Sequence, residues 1–296
     1  MERARTAPPR TQRLRELLSS ERPLVFPGCF NAISAVMAER AGAMALYVSG
    51  AGLINGLTGY PDIGLLSMTE VTQQLHYICQ SVTVPVIADA DTGFGEGLVL
   101  WRTVEECERA GVAGIHIEDQ QMPKRCGHLD GKTLVSRDDM VKKIHTAVRA
   151  RQDPRFLLIA RTDARAVEGF DAAVDRARAY IDAGADMIFP EALTSPEEFG
   201  RFAQAVDAPL LANMTEFGKT PMLSAAEFGA LGYRAVIFPM TGFRMMLKVF
   251  ERCYSTLLAE GTQRALLPDM LTRAELYDAI RYPDYEALDQ DLAAGR

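Results

Sequence analysis

The chain has 296 residues, 48% of them hydrophobic and 24% charged, with a formal net charge of -7. A chain of this size buries about 75% of its unfolded surface, so it needs no covalent staple, and it forms one large domain or two ordinary ones. The acidic balance excludes a protein built mainly to neutralise nucleic-acid phosphates; anionic small substrates stay open, because a bound metal and a few arginines reverse the field inside one pocket.

The start, MERARTAPPRTQRLRELLSSERP, is arginine-rich but lacks the apolar core of a secretory signal. Glu2, Glu16 and Glu21 count against an organellar presequence. No stretch is long and apolar enough to span a bilayer. The five cysteines, Cys29, Cys79, Cys107, Cys126 and Cys253, form no CxxC or zinc-knuckle pattern. That argues against a disulfide framework or structural zinc and fits a reducing, cytoplasmic setting.

In chain order, strands are expected at 24–27, 44–49, 84–91, 114–118, 156–162, 187–190, 209–213 and 235–239. Four junctions repeat one pattern: ERAGAMALYVSG (39–50), ERAGVAGIHIED (108–119), DAGADMIFPE (182–191) and ALGYRAVIFP (230–239) each read as a helix end, a glycine stop and a short apolar run. Gly42, Gly111, Gly184 and Gly232 are therefore expected in the left-handed conformation that ends a helix. The apolar runs lack strict alternation, as parallel strands covered on both faces do. Segments 103–111, 136–151 and 170–184 alternate apolar and charged faces at helical period. Ser136 with Asp139, and Ser195 with Glu198, resemble capping boxes. Eight such units predict an α/β fold, a closed (β/α)8 TIM barrel forming a single domain over 1–296, with additional N-terminal helix and a C-terminal helical extension from about 262 to 296. An open doubly wound sheet is the alternative. Tyrosines and leucines in TRAELYDAIRYPDYEALD (272–289) either cover the barrel or contact another subunit.

Polar residues fall at the strand ends: Tyr47 to Gly50, Asp89 to Asp91, His116 to Asp119, Arg161 to Asp163, Glu191, and Asn213 to Glu216. In a barrel these ends share one rim, where catalytic groups gather, whereas polar residues deeper in a strand would face a dry interior. Asp89 and Asp91 are two apart, so in extended chain they point to one side. Two carboxylates held together repel unless a cation or proton intervenes, and oxygen ligands suit Mg²⁺. Asp62, Glu118 and Glu191 add oxygen donors; helix capping or a local salt bridge is the other reading of the pair. Arg161 ends an apolar run and either clamps a substrate carboxylate or pairs with Asp163 or Glu191. His116 is a supporting donor or a satisfied core histidine. Gly50 and Gly56 permit close backbone approach to a ligand, but they form no dinucleotide fingerprint or P-loop.

After the fourth strand, QQMPKRCGHLDGKTLVS (120–136) reads as a polar loop. Lys124 and Arg125 beside Cys126 would stabilise a thiolate and lower its pKa, and Gly127 and Gly131 would let the loop turn or close over a ligand. A thiol placed beside a carbon acid can exchange a proton with it. The alternative is a mobile basic loop with an incidental cysteine. Cys79, Cys107 and Cys253 lack this concentration of cationic neighbours and read as small apolar residues, with Cys29 less certain beside Gly28 close to a strand end.

KRCGH (124–128), preceded by GIHIEDQ (114–120), resembles the signature of the isocitrate lyase and phosphoenolpyruvate mutase superfamily. YVSGAG (47–52), GYPDIG (59–64), VIADADTGFG (86–95), ARTDARAVEG (160–169), IFPEA (188–192), LANMTEFGKTP (211–221) and TRAELYDAIRY (272–282) extend the likeness over nearly the whole chain, toward its 2-methylisocitrate lyase branch. The resemblance implies a Mg²⁺-dependent (β/α)8 lyase that cleaves a tricarboxylate reversibly to pyruvate and succinate in propionate breakdown, as a homotetramer exchanging its last barrel helix. It implies that Asp89 holds the metal, with Asp62, Asp91 and Glu118 in the same network. Ser49, Gly50 and Ala51 would contact the pyruvate part. Arg161 would hold substrate oxygens with Tyr47 nearby. Asn213, Thr215, Arg244, Arg125, Gly127 and His128 would bind the succinate carboxylates, with Glu191 beside them. Cys126 would be the acid–base residue, and Glu118, Tyr47 or a metal-linked water would take the hydroxyl proton. Ala51 departs from the commoner SGGG start. Isocitrate lyases share the cysteine loop on longer chains, and mutases, phosphonopyruvate hydrolases and oxaloacetate decarboxylases generally lack it.

Overall fold

The computed structural model of the chain describes residues 8–129 and 131–295; the basic start around Glu2 lies outside them. Eight strands form: β1 Leu24–Cys29, β2 Leu46–Val48, β3 Val86–Asp89, β4 Gly114–Glu118, β5 Leu157–Thr162, β6 Met187–Pro190, β7 Leu211–Asn213 and β8 Ala235–Phe238. They pair in parallel in the order β6-β5-β4-β3-β2-β1-β8-β7. The two ends of this ribbon meet, because Ile188 of β6 bridges Leu210 just before β7 and donates its N–H to Pro209 O at 3.0 Å. That bridge makes the sheet a barrel and removes the doubly wound alternative. The expected strand 84–91 is shorter than the apolar run, since Asp91 turns the chain at a φ of 47°.

Successive side chains on a strand point to opposite faces, and here the two faces have different neighbours. Leu24, Phe26, Tyr47, Ile87, Leu157, Ile159, Met187, Phe189, Leu211, Ala235 and Ile237 pack inside the barrel. Val48, Val86, Ala88, Ile115, Ile117, Leu158, Ala160, Ile188, Ala212 and Val236 pack outward against helices. Both sets are apolar, which is why the sequence shows runs rather than alternation. Leu14, from the helix Arg10–Leu18, is fully buried in the inner cluster with Leu17 and Leu18 alongside. It plugs the end of the barrel where the strands begin, leaving the carboxyl end for a site.

Gly42, Gly111, Gly184 and Gly232 take φ values of 96°, 96°, 101° and 100°, as the four repeated junctions require. The expected capping boxes form only by half. Ser136 and Ser195 accept from the N–H groups of Asp139 and Glu198, but Glu198 turns its carboxylate to Arg165 and to the N–H of Thr194. Asp139 reaches the Ser136 hydroxyl and Lys142 instead of closing the box. Reciprocal boxes occur at Ser67 with Glu70, Ser224 with Glu227 and Thr272 with Glu275.

After β8 the helix Thr241–Glu260 runs outward, with Phe243 its buried residue. The outer face of β1 is consequently uncovered. Val25 is 39% exposed and, with Phe30, Ile33, Met37, Phe238 and Met246, lines an apolar groove of about 650 Å³. The helices Arg273–Ala279 and Tyr282–Ala293 follow, with Leu276, Tyr277, Ile280, Tyr282, Tyr285 and Leu292 exposed.

Candidate active site

Strand parity selects the side chains that reach the rim. Continuing the inward set toward the strand ends gives Ser49 after β2, Asp89 on β3, His116 and Glu118 on β4, Arg161 on β5, Glu191 after β6 and Asn213 on β7. Loops add Asp62, Thr215 and residues 124–128. Together, Tyr47, Ser49, Ala51, Asp62, Asp89, Arg125, Cys126, Gly127, His128, Arg161, Glu191, Asn213 and Thr215 line one cavity of about 70 Å³, whose remaining wall is Lys124, Phe189, Ile237, Pro239 and Met240.

Charge in this cavity is densely paired. Asp163 grips Arg161 through Nε at 2.9 Å and Nη2 at 3.2 Å, while Glu118 Oε2 lies 3.3 Å from Nε and Glu191 Oε2 3.6 Å from Nη1. The guanidinium carbon sits 5.1 Å from the centre of the Phe189 ring. Arg161 thus pairs with Asp163, as one reading of the sequence had it, and still borders the cavity. Asn213 Nδ2 donates to Glu191 Oε2 at 3.2 Å, and His128 Nε2 stands 2.9 Å from Glu191 Oε1. Burial opposes ionisation of Glu191, but Arg161 and His128 outweigh it and hold the carboxyl at about 2.

Asp89 and Asp91 do converge, by a left-handed turn rather than by an extended segment. Asp89 accepts from the N–H groups of Asp91 at 2.9 Å and Gly50 at 3.2 Å. A Cβ on Gly50 would lie 2.8 Å from Asp89 Oδ2, so a side chain there would displace the Asp89 carboxylate. Burial works against ionising Asp89, yet the positive groups around it, of which Lys124 and Arg161 are charged at neutral pH, keep its carboxyl at about 2. Burial, with Asp89 adding to it, lifts Asp91 to about 6 against the pull of Lys124. His116 is pushed down to about 4 by burial. It is therefore neutral at pH 7, shares a 2.8 Å hydrogen bond with the Tyr47 hydroxyl, and supports the site from the barrel core.

Lys124 departs from its expected role. Its buried ammonium lies 2.7 Å from Asp62 Oδ1 and 2.6 Å from Asp91 Oδ1, turned away from the thiol. Burial raises the Cys126 pKa, and the backbone N–H of His128 and the Arg161 charge only partly oppose it. The pKa is thus shifted up, not down as Lys124 and Arg125 suggested, and the shift favours the thiol that the acid–base role of Cys126 requires.

A family model described as phosphoenolpyruvate phosphomutase matches residues 14–258. The 2-methylisocitrate lyase of Aeropyrum pernix is 55% identical over 280 residues, covering 95% of this chain and 90% of that relative. The chain belongs to the phosphoenolpyruvate mutase and isocitrate lyase superfamily. Two solved structures of related enzymes superimpose closely. 2,3-Dimethylmalate lyase does so at a TM-score of 0.90 with 37% identity, covering 98% of this chain and 96% of that one. Phosphonopyruvate hydrolase in complex with oxalate and Mg²⁺ does so at 0.86 with 28% identity, covering 96% and 99%. This superfamily member is an enzyme, a carbon–carbon lyase.

Within the superfamily frame, several expected residues stand outside the cavity wall. Glu118 is fully buried behind Arg161, and neither of its carboxylate oxygens has a hydrogen-bond partner. Burial drives its pKa well up. Arg244 pairs with Glu216 at 3.4 Å and stacks over Phe217 at the half-exposed rim. Gly56 packs against Phe243 and Phe30, away from any ligand path. Gly127 owes its place to close approach, since a Cβ there would fall 2.3 Å from Glu191 Cγ and 2.5 Å from Arg161 Nη2. Sequence reasoning missed Lys132, and took Lys124 as a neighbour of the thiol rather than a cation of the carboxylate network; the lysine that opens the cysteine motif was the available signal.

The four carboxylates do not form a ready-made shell: among the described residues, no three His, Cys, Asp or Glu side chains close on one cation point. Asp62 and Asp91 bond Lys124 instead. An all-oxygen set with unpartnered Glu118 oxygens nevertheless fits Mg²⁺, which takes one or two carboxylates and keeps its waters.

Proposed function

We propose that this chain cleaves 2-methylisocitrate reversibly to pyruvate and succinate, with Mg²⁺, in the cytoplasm, as a step of propionate breakdown. The observation that carries the reading is the place of Cys126, on a loop closed over the same cavity as Arg161, Asn213 and Asp89, where burial favours the thiol over the thiolate. The likeness to a 2-methylisocitrate lyase supports the substrate. Asp89 would hold Mg²⁺, with Asp62, Asp91 and Glu118 near the same network. Bound there, the ion supplies positive charge to the hydroxyl and carboxylate oxygens of the half that becomes pyruvate.

The residues divide the remaining work. Ser49 caps the helix Gly50–Thr58, whose first N–H groups suit a carboxylate; Arg161 holds the adjoining oxygens. Glu118, fully buried behind Arg161 with both oxygens unpartnered, receives the hydroxyl proton through an intervening water, and only in its ionised form, since burial drives its pKa well up. Tyr47, whose phenol burial keeps protonated, cannot serve as that base and donates. The bond between the hydroxyl-bearing carbon and its neighbour then breaks, a ketone forms, and the electron pair passes to the succinate half. Asn213, Thr215 and His128 stabilise its carboxylate oxygens, and the Cys126 thiol gives its proton to carbon. Glu118 loses its proton and the thiolate regains one before the next turnover.

The substrate methyl would lie against Phe189 and Ile237, where a methyl-sized space changes discrimination by about 1–3 kcal/mol. Steady-state assays with 2-methylisocitrate, isocitrate, oxaloacetate and phosphonopyruvate test the assignment. The expected result is pyruvate and succinate from the first, with kcat/KM about 10–200-fold above isocitrate, and no turnover of the last two. Preference for isocitrate, or no pyruvate at all, removes the substrate reading.

Assembly as a homotetramer completes the proposal. The groove along β1 lies where an eighth barrel helix belongs, and the outward-running helix Thr241–Glu260 exposes Met245, Leu247, Val249, Phe250, Tyr254 and Leu258. No helix among the described residues is long and apolar enough to cross a membrane.

A further inference from the structure

Among the buried cations that the proposed reaction does not use, Lys132 belongs to the cysteine loop itself. The Lys132 ammonium donates to Asp163 Oδ1 at 2.8 Å and to the carbonyl of Gly127, with side-chain exposures of 1% for Lys132 and 0% for Asp163. Lys132 and Gly127 both belong to the loop that carries Cys126, whereas Asp163 belongs to the barrel. Its N–H donates to Asp119 Oδ1 at 2.9 Å, and Asp119 is itself fixed by Thr162 at 2.7 Å and Tyr180 at 2.8 Å. A buried ammonium is tolerated only where its donors meet acceptors. The position of Lys132 is therefore stable when the loop brings Gly127 down beside Asp163, and unfavourable otherwise.

The geometry points to Lys132 as a positioning residue, an internal latch that ties Gly127 to Asp163 and keeps Cys126 at the cavity. Asp163 Oδ1 also accepts from Arg161 Nη2 at 3.2 Å. When the latch closes, one carboxylate serves two cations, which leaves more of the Arg161 charge for an anionic substrate. Loop closure and substrate binding consequently favour each other. Lys132 lies outside the cavity wall, so replacing it removes no contact with the substrate.

The test uses the full chain and reads loop position independently of the chemistry assigned to Cys126, so it stands even if the proposed reaction fails. Iodoacetamide labelling is followed peptide by peptide in wild type, Lys132→Met and Lys132→Arg. Half-buried Cys253 serves as reference, and buried Cys79 and Cys107 report unfolding. Lys132→Met is expected to speed labelling of Cys126 relative to Cys253 by about 10-fold, the population change that loss of one charge-assisted bond produces, with Cys79 and Cys107 still protected. Lys132→Arg is expected to restore most of the protection. In the assay, Lys132→Met should lower kcat and raise KM together, as weaker closure and a weaker Arg161 grip require. Unchanged Cys126 labelling in folded Lys132→Met, or a rise shared by Cys79 and Cys107, overturns the latch. If Lys132→Met does not fold, the same labelling ratio in Lys132→Gln decides the matter.

Discussion

A group that must deliver a proton to carbon has to keep that proton until the carbon is ready for it. In the proposed reaction that group is Cys126, and burial raises its pKa above the ordinary thiol value. The acid form prevails below the raised pKa, so cleavage should hold through pH 8.5, roughly where a free thiol ionises, and decline only above it. The pH profile of kcat/KM for cleavage checks this; a loss of rate beginning near pH 7 would contradict it. The acid–base role implied by the resemblance already required a thiol, but the neighbouring residues in sequence pointed the other way. Lys124 and Arg125 flank the cysteine there and suggest a thiolate. In space Lys124 engages Asp62 and Asp91, while Arg125 runs out toward Gly131. Adjacency along a chain says nothing of where a long side chain sends its charge.

At the scale of elements, the strands were largely legible. Buried parallel strands read as apolar runs, and a shared rim makes their polar ends neighbours whatever their separation in sequence. Tyr47, Asp89, Arg161, Glu191 and Asn213 came out that way. Loop geometry was the weaker part. The turn at Asp91, the packing role of Gly56 and the outward course of Arg244 depend on contacts that strand parity does not govern. Gly127 illustrates the same limit, since its need for glycine comes from Glu191 and Arg161 and not from φ. Gly127→Ala should therefore keep the loop from seating. Because a misplacement of about 1 Å costs roughly 100-fold in rate, steady-state kinetics should show a kcat/KM loss of that order with an almost unchanged melting temperature. Near-normal kinetics would mean that the closed loop is not the working one.

At the scale of the molecule, Leu14 seals one end of the barrel and the cysteine loop covers the other, while the groove along β1 stays open. The tyrosines of 272–289 do not cover the barrel: Tyr277, Tyr282 and Tyr285 face outward, which favours the second of the two readings that the sequence allowed. Sedimentation velocity should find a tetramer, with Leu258→Asp shifting it to smaller species; a monomeric wild type would contradict the proposed exchange of helices. The account as a whole rests on an organic acid held at the rim and protonated on carbon from Cys126. Cleavage of 2-methylisocitrate in D₂O, followed by NMR, tests that most directly. Wild type with Mg²⁺ should give pyruvate together with succinate carrying a single new deuterium, and Cys126→Ser, folded to the same extent, should give almost none. Succinate formed by Cys126→Ser at the wild-type rate would contradict the account.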